Sequence, residues 1–192
     1  MTMANKITLL RVILSPVFFL IFFLPTWFSV PPVLIIVLLV CIFAVIELSD
    51  LFDGKIARKY NEVSDLGKLL DPFSDSFSRL TYFFCFTVAG FMPSWLFLPV
   101  LYRDLVVGFI RQLMAREGLS MPARKSGKIK AWVYAITGIV GTLYYFTVLL
   151  DMSERVPYAC VVTMYALFGI TALTAIWTML DYASVIASKN KS

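Results

Sequence analysis

Histidine is absent from this sequence of 192 residues. Its absence excludes a Ser-His-Asp triad, a histidine general base and any zinc site built on imidazole. Charge is scarce as well: 15% of the residues are Asp, Glu, Lys or Arg, against about a quarter in soluble domains. Cysteine occurs three times, at Cys41, Cys85 and Cys160, each inside an apolar stretch and without metal-ligand spacing. All three are expected to be small buried residues. Long polar stretches are lacking too, so no second domain outside the apolar part is expected, and no internal repeat is evident. Chemistry must fall to carboxylates, amines, guanidinium groups or bound ions.

What the chain has is hydrocarbon. It is 60% hydrophobic, and no charge interrupts the run from Val12 to Ile46. Such a run is too long for a soluble core. Divided at "PTWFSVPP" (25–32), it becomes two segments, each near the roughly 20 residues that a bilayer needs. Lys6 and Arg11 precede the first segment as in a signal peptide, but "FFLPTWFSV" is bulky where a cleavage site would be small, so a retained first helix is expected. Six spans follow from the same reading, at 7–25, 33–55, 67–91, 95–116, 127–150 and 157–186. The expected fold is therefore all-α: a polytopic membrane protein with six transmembrane helices in a single membrane-embedded domain, 1–192. No nucleic-acid partner is expected.

Fourteen of the seventeen Lys and Arg fall on one side of this arrangement, in the N-terminal stretch, the connections near 56–66 and 117–126, and the C-terminal stretch. The positive-inside rule then puts both termini and those connections in the cytoplasm. Ala135, Gly138 and Gly141, and again Ala166, Gly169 and Ala172, put a small residue at every third position. Such stripes let helices approach closely in lipid, and packing is their expected role.

The acidic residues are not spread evenly. Asp50 and Asp53, three apart, share a face at the end of the second segment, while Gly67, Asp71 and Asp75 step by four at the start of the third. A short connection makes these segments an antiparallel hairpin, so four carboxylates are expected to converge at one depth, near the cytoplasmic surface. Like charges gathered in a half-desolvated place repel unless a positive charge joins them. With only oxygen ligands at hand, that charge is a hard divalent cation, Mg²⁺, Mn²⁺ or Ca²⁺. Shared carboxylates suit two such ions about 4 Å apart, the arrangement used for in-line displacement at phosphorus. Gly54 and the small Ala57 permit close approach of a ligand, and Arg58 can fork onto phosphate.

A second polar group is basic. Arg103 and Arg111 lie eight apart on nearly one face of the fourth segment, and Lys128 and Lys130 open the fifth. Several cations beside a metal site suit an anionic ligand such as a phosphate. Glu47 and Arg79 are additional charges within spans, each about one turn deeper than the aspartates. A buried Glu47–Arg79 pair is one expectation, and Arg79 reaching back to Asp75 is the other.

The pattern Asp50-x-x-Asp53-Gly54-x-x-Ala57-Arg58, eight residues, then Gly67-x-x-x-Asp71-x-x-x-Asp75, resembles the complete signature of the CDP-alcohol phosphotransferase family. "NKITLLR" (5–11), "RDLVVGFIRQLMAREG" (103–118) and "GKIK" (127–130) resemble its phosphatidylglycerophosphate synthase branch. The resemblance implies a six-helix membrane enzyme, commonly a homodimer, with a polar cavity open to the cytoplasm and placed in the cell (inner) membrane. It implies two divalent cations, Mg²⁺ or Mn²⁺, ligated by Asp50, Asp53, Asp71 and Asp75, with Asp75 also the base that takes the acceptor's proton. It implies that Asp53, Gly54, Ala57, Arg58 and Gly67 border the cytidine nucleotide. The acceptor would meet Arg103, Arg111, Lys128 and Lys130. The reaction expected is transfer of a phosphatidyl group from CDP-diacylglycerol to glycerol 3-phosphate, giving phosphatidylglycerophosphate and CMP.

The chain also departs from that branch. Ser76 stands where Lys would follow the last motif aspartate, and Asp104 stands where glutamate is usual. These departures leave other acceptors open: inositol phosphate, serine, or an amino alcohol with choline or ethanolamine chemistry. A cation transporter is the alternative from another class. It would gather carboxylates near the bilayer midplane, often beside broken helices; here they lie at one edge.

Overall fold

A computed structural model describes the backbone of residues 3–59, 65–116 and 125–189, and the side chains of 5–49, 67, 70–114 and 125–184. Six helices follow in order: α1 (Met3–Trp27), α2 (Pro32–Lys59), α3 (Asp65–Val88), α4 (Ser94–Arg116), α5 (Lys125–Leu149) and α6 (Tyr158–Lys189). A 3₁₀ turn, Ser153–Arg155, precedes α6. Among the described residues there is no strand. Four helical stretches are long and apolar enough to cross a membrane: Asn5–Trp27, Pro32–Ser49, Lys125–Leu149 and Tyr158–Ser184. α3 and α4 have the length, but their charged residues, Asp71, Asp75 and Arg79 in one and Arg103, Asp104 and Arg111 in the other, remove them from that set. The expected basic connections fall mainly on 60–64 and 117–124, outside the described residues.

Local chemistry explains where the helices stop. Pro32 opens α2 at the one position where a missing N–H costs nothing, and Pro93 and Pro157 directly precede α4 and α6. After α3 the chain turns through Gly90 at φ 87°, and Phe91 and Met92 both donate back to the Phe86 carbonyl, at 3.2 and 3.1 Å. A left-handed glycine there satisfies the last carbonyls of the helix without a Cβ penalty.

The chain forms two compact units, Met1–Cys85 and Phe86–Ser192, with the boundary inside α3. In the first, Phe18 and Phe22 of α1, Ile35, Leu39 and Ile46 of α2 and Tyr82, Phe83 and Cys85 of α3 are buried. Tyr82 is the meeting point: its ring lies 4.8 Å from that of Phe18 and 4.9 Å from that of Phe43. Aromatic pairs at such separations add to the area they bury. In the second unit α6 packs on both α4 and α5. Buried Thr137 and Thr171 exchange a hydrogen bond of 2.8 Å between α5 and α6, a contact suited to an apolar interior.

The small-residue stripes divide in role. A Cβ added at Gly141 would clash with the edge of the Phe86 ring, and Phe86 is fully buried against Phe91 and Phe168. Gly169, by contrast, has no atom near the position of an added Cβ and borders an apolar groove lined by Trp95, Leu96, Pro99, Tyr165 and Leu173. Close packing therefore explains Gly141 and not Gly169. Gly141→Ala is expected to cost about 1–3 kcal/mol by overpacking, whereas Gly169→Ala is expected to be neutral or slightly stabilising. Thermal unfolding of the two variants in one detergent checks this; equal melting temperatures would contradict it.

The cysteines divide as well. Cys85 is buried as expected, but Cys41 and Cys160 are exposed. Their exposure corrects the sequence reading, and the reason is that a face turned to lipid is as apolar as a core. Trp132, Tyr158, Trp95 and Leu173 are likewise each more than two-thirds exposed.

Candidate active site

α3 carries the second half of the aspartate pattern on one polar stripe. Asp71, Ser74, Asp75, Ser78, Arg79 and Tyr82 recur at three- and four-residue steps, so they share a face. Among its charged residues exposure falls with depth. Asp71 is exposed, the Asp75 side chain is 30% exposed, and Ser78, Arg79 and Tyr82 are buried. Ser74 and Ser78 return their hydroxyls to carbonyls of their own helix, Ser74 to Asp71 at 3.0 Å and Ser78 to Ser74 at 3.0 Å. The carboxylates thus stand at the open end of a stripe whose deeper end is closed.

Each of the two aspartates is held from inside the first unit. Thr8 Oγ1 of α1 donates to Asp71 Oδ1 at 2.8 Å. Arg79 Nη2 lies 3.0 Å from Asp75 Oδ1, and Arg11 Nη1 of α1 lies 3.9 Å from the same oxygen. Of the two expectations for Arg79, the reach back to Asp75 is therefore present. Glu47, Arg79, Arg11 and Asp75 all lie close enough to Tyr82 to bear electrostatically on its hydroxyl. Opposite charges close together offset the cost of placing each in a poorly solvated interior.

Asp50, Asp53, Gly54, Ala57 and Arg58 lie on the last turns of α2, and their side chains fall outside the described residues. Gly67 lies in the first turn of α3, four residues before Asp71. Among the described residues no three carboxylate, thiol or imidazole side chains gather in one place. Asp71 and Asp75 nevertheless fit a hard cation. They are oxygen donors one helical turn apart, open to solvent, and each carboxylate has about four lone-pair sites to share between a protein donor and an ion.

The basic residues lie in the second unit. Arg103 and Lys130, on α4 and α5, meet at one carboxylate: Arg103 Nη1 and Lys130 Nζ each lie 2.7 Å from Asp104 Oδ1. All three are buried, and Asp104 has no exposed side-chain surface. Arg103 Nε also donates to Thr178 Oγ1 of α6 at 3.1 Å. Arg111 Nη2 donates to the Tyr182 hydroxyl at 2.8 Å and sits 5.4 Å from the ring centre, while Arg103 sits 5.8 Å from the same ring. Arg103, Arg111 and Lys130 are thus gathered around Asp104 and Tyr182. Lys128 is exposed on α5. Directly before Tyr182 on α6, Asp181 Oδ2 accepts from Ser126 Oγ of α5 at 2.6 Å.

Sequence reasoning missed four of these partnerships. Thr8 and Arg11 did not stand out from an N-terminal stretch read as flanking charge, although Asn5, Thr8 and Arg11 step by three and so mark one face. Asp104 was noticed for its identity and not for what it binds. Tyr182 carried no signal, being one aromatic among many.

The comparisons with known proteins run through both units. A CDP-diacylglycerol–glycerol-3-phosphate 3-phosphatidyltransferase of Treponema pallidum is 39% identical over 95 residues, 50% of this chain and 44% of that protein. A probable phosphatidylglycerophosphate synthase of Mycobacterium tuberculosis is 31% identical over 175 residues, 91% of this chain and 78% of the other. The CDP-diacylglycerol–glycerol-3-phosphate 3-phosphatidyltransferase of Escherichia coli K12 is 29% identical over 182 residues, 93% of this chain and 91% of its own length. The family model for CDP-alcohol phosphatidyltransferases matches residues 1–180, Asp50, Asp53, Asp71 and Asp75 included, and the chain belongs to that family.

Proposed function

We propose that the protein transfers a phosphatidyl group from CDP-diacylglycerol to glycerol 3-phosphate, releasing CMP and leaving phosphatidylglycerophosphate in the membrane. One observation carries this reading: similarity over 91% and 93% of the chain to proteins named for that activity or its product. The family is generally divalent-cation dependent. Two cations, Mg²⁺ or Mn²⁺, are assigned to Asp50, Asp53, Asp71 and Asp75, and when bound they would neutralise the donor's pyrophosphate and the departing CMP.

The chain's own residues have the following roles. Gly54, Ala57 and Gly67, with no bulk at their surfaces, admit the cytidine nucleotide beside Asp53, and Arg58 meets its phosphates. Asp75 accepts the proton of the acceptor hydroxyl as that oxygen bonds to phosphorus and the bond to CMP breaks. Displacement of this kind needs positioning and charge complementarity more than covalent help. Arg111 and Lys128 meet the acceptor's phosphate directly. Arg103 and Lys130 add positive potential while held by Asp104, so that three buried charges leave a net positive interior beside Arg111.

Apolar helices and bacterial relatives support a place in the cell (inner) membrane. Both termini and the aspartates are assigned to the cytoplasmic side by the distribution of Lys and Arg. Residues 1–192 act as a single catalytic domain, since the family match runs without a break through both units, and the working form is a homodimer. The test is direct. Purified protein given CDP-diacylglycerol, glycerol 3-phosphate and Mg²⁺ is expected to form phosphatidylglycerophosphate, identified by mass spectrometry, and a chelator is expected to stop it. Absence of that lipid with active Mg²⁺ present would overturn the proposal.

A further inference from the structure

α1 is an apolar helix with one polar stripe. Asn5, Thr8 and Arg11 step by three along it and are 3%, 0% and 1% exposed. Polar and charged groups are costly to bury without partners. Among the partners that Thr8 and Arg11 find are two aspartates of α3, Asp71 at 2.8 Å and Asp75 at 3.9 Å. In both contacts the α1 group is the buried one and the aspartate the exposed one. Were threonine needed only to fill space, valine would do as well, and the threonine hydroxyl could have turned to its own helix, as those of Thr81, Thr142 and Thr174 do. Thr8 instead reaches across to a carboxylate 63 positions away.

An exposed aspartate on a helix samples several rotamers, and a ligand that needs one of them must overcome the entropy of the rest. A buried hydroxyl that donates to one carboxylate oxygen, as that of Thr8 does, removes that freedom in advance. It also leaves lone pairs of the carboxylate for an incoming cation.

We propose that Thr8 is a positioning residue for Asp71, so that the first helix sets the cation affinity of a site whose ligands lie on other helices. Resting on the cation-binding role proposed above, the effect should appear in ion binding itself and not only in turnover.

The experiment titrates Mn²⁺ into purified full-length protein in detergent and measures free Mn²⁺ by electron paramagnetic resonance. Thr8→Val keeps shape and removes the donor. It is expected to weaken Mn²⁺ binding about 10- to 100-fold, the range for loss of a group that orients a metal ligand, with a metal-free melting temperature close to the parent's. Thr8→Ser restores the hydroxyl and is expected to bind Mn²⁺ nearly as the parent does. Parent-like affinity in Thr8→Val would overturn the positioning role. Thr8→Ala replaces Thr8→Val should the latter not fold, and failure of both to fold would make the hydroxyl structural and overturn the proposal. Asp71→Asn separates the two levels. If the parent binds no Mn²⁺, or Asp71→Asn binds it equally well, the cation assignment fails and the role of Thr8 with it. If Asp71→Asn loses Mn²⁺ and Thr8→Val does not, only the role of Thr8 fails.

Discussion

Asp75→Asn is expected to lower CMP release from CDP-diacylglycerol by about 10²- to 10⁴-fold, the usual worth of a positioned general base. The substitution is nearly isosteric and keeps an oxygen that Arg79, at 3.0 Å, can still donate to. Asp75 is also the more open partner of that pair, with its side chain 30% exposed against 6% for Arg79. The variant should therefore fold, bind CDP-diacylglycerol and fail at turnover. Measuring nucleotide-lipid binding and CMP release on the same preparation separates the two steps. Parent-like CMP release by Asp75→Asn would remove Asp75 from the role of base. Loss of binding together with loss of turnover would make it chiefly a ligand.

The second large effect concerns the buried charges of the second unit. Asp104→Asn leaves Arg103 and Lys130 facing each other across a neutral amide, where each had a carboxylate oxygen at 2.7 Å. Breaking a buried ion pair by removing one partner costs about 3–5 kcal/mol, because the remaining charge keeps its desolvation penalty. For a chain of this size that is a fall in melting temperature of roughly 6–20 °C. Replacing all three residues together, Arg103→Met, Asp104→Leu and Lys130→Met, removes the penalty with the charges, and stability should return to near that of the parent. Turnover should not return, because Arg103 and Lys130 are assigned the positive potential that favours the acceptor's phosphate. A triple variant that is stable and fully active would show that the cluster only packs helices. A triple variant less stable than Asp104→Asn would contradict the charge argument.

Much of the fold could be read from the sequence because a bilayer imposes a length. Runs of about 20 apolar residues, punctuated by Pro31–Pro32, Pro93 and Pro157, place six helices where α1 to α6 occur. Hydropathy is blind to direction within a bilayer, however. Lipid and a protein core are equally apolar, so Cys41 and Cys160 could not be distinguished from Cys85, nor Gly169 from Gly141. The aspartate spacings were legible because they are local, within one helix or across one short connection. The contacts of Thr8 with Asp71, of Lys130 with Asp104 and of Arg111 with Tyr182 join residues 63, 26 and 71 positions apart. No periodicity within either helix specifies which face of the other it will meet. Arg103 lies well inside α4, away from the connections at its ends. Its depth is explained by Asp104, Thr178 and the Tyr182 ring.

The most direct measurement is CMP release by the purified protein with CDP-diacylglycerol and Mg²⁺, offering glycerol 3-phosphate, inositol phosphate, serine and choline one at a time. Release driven by glycerol 3-phosphate alone is the expected result, and it would make Ser76 a tolerated departure from the branch pattern. Release driven by serine or choline, with glycerol 3-phosphate inert, would contradict the assignment of Arg103, Arg111, Lys128 and Lys130 to an acceptor phosphate.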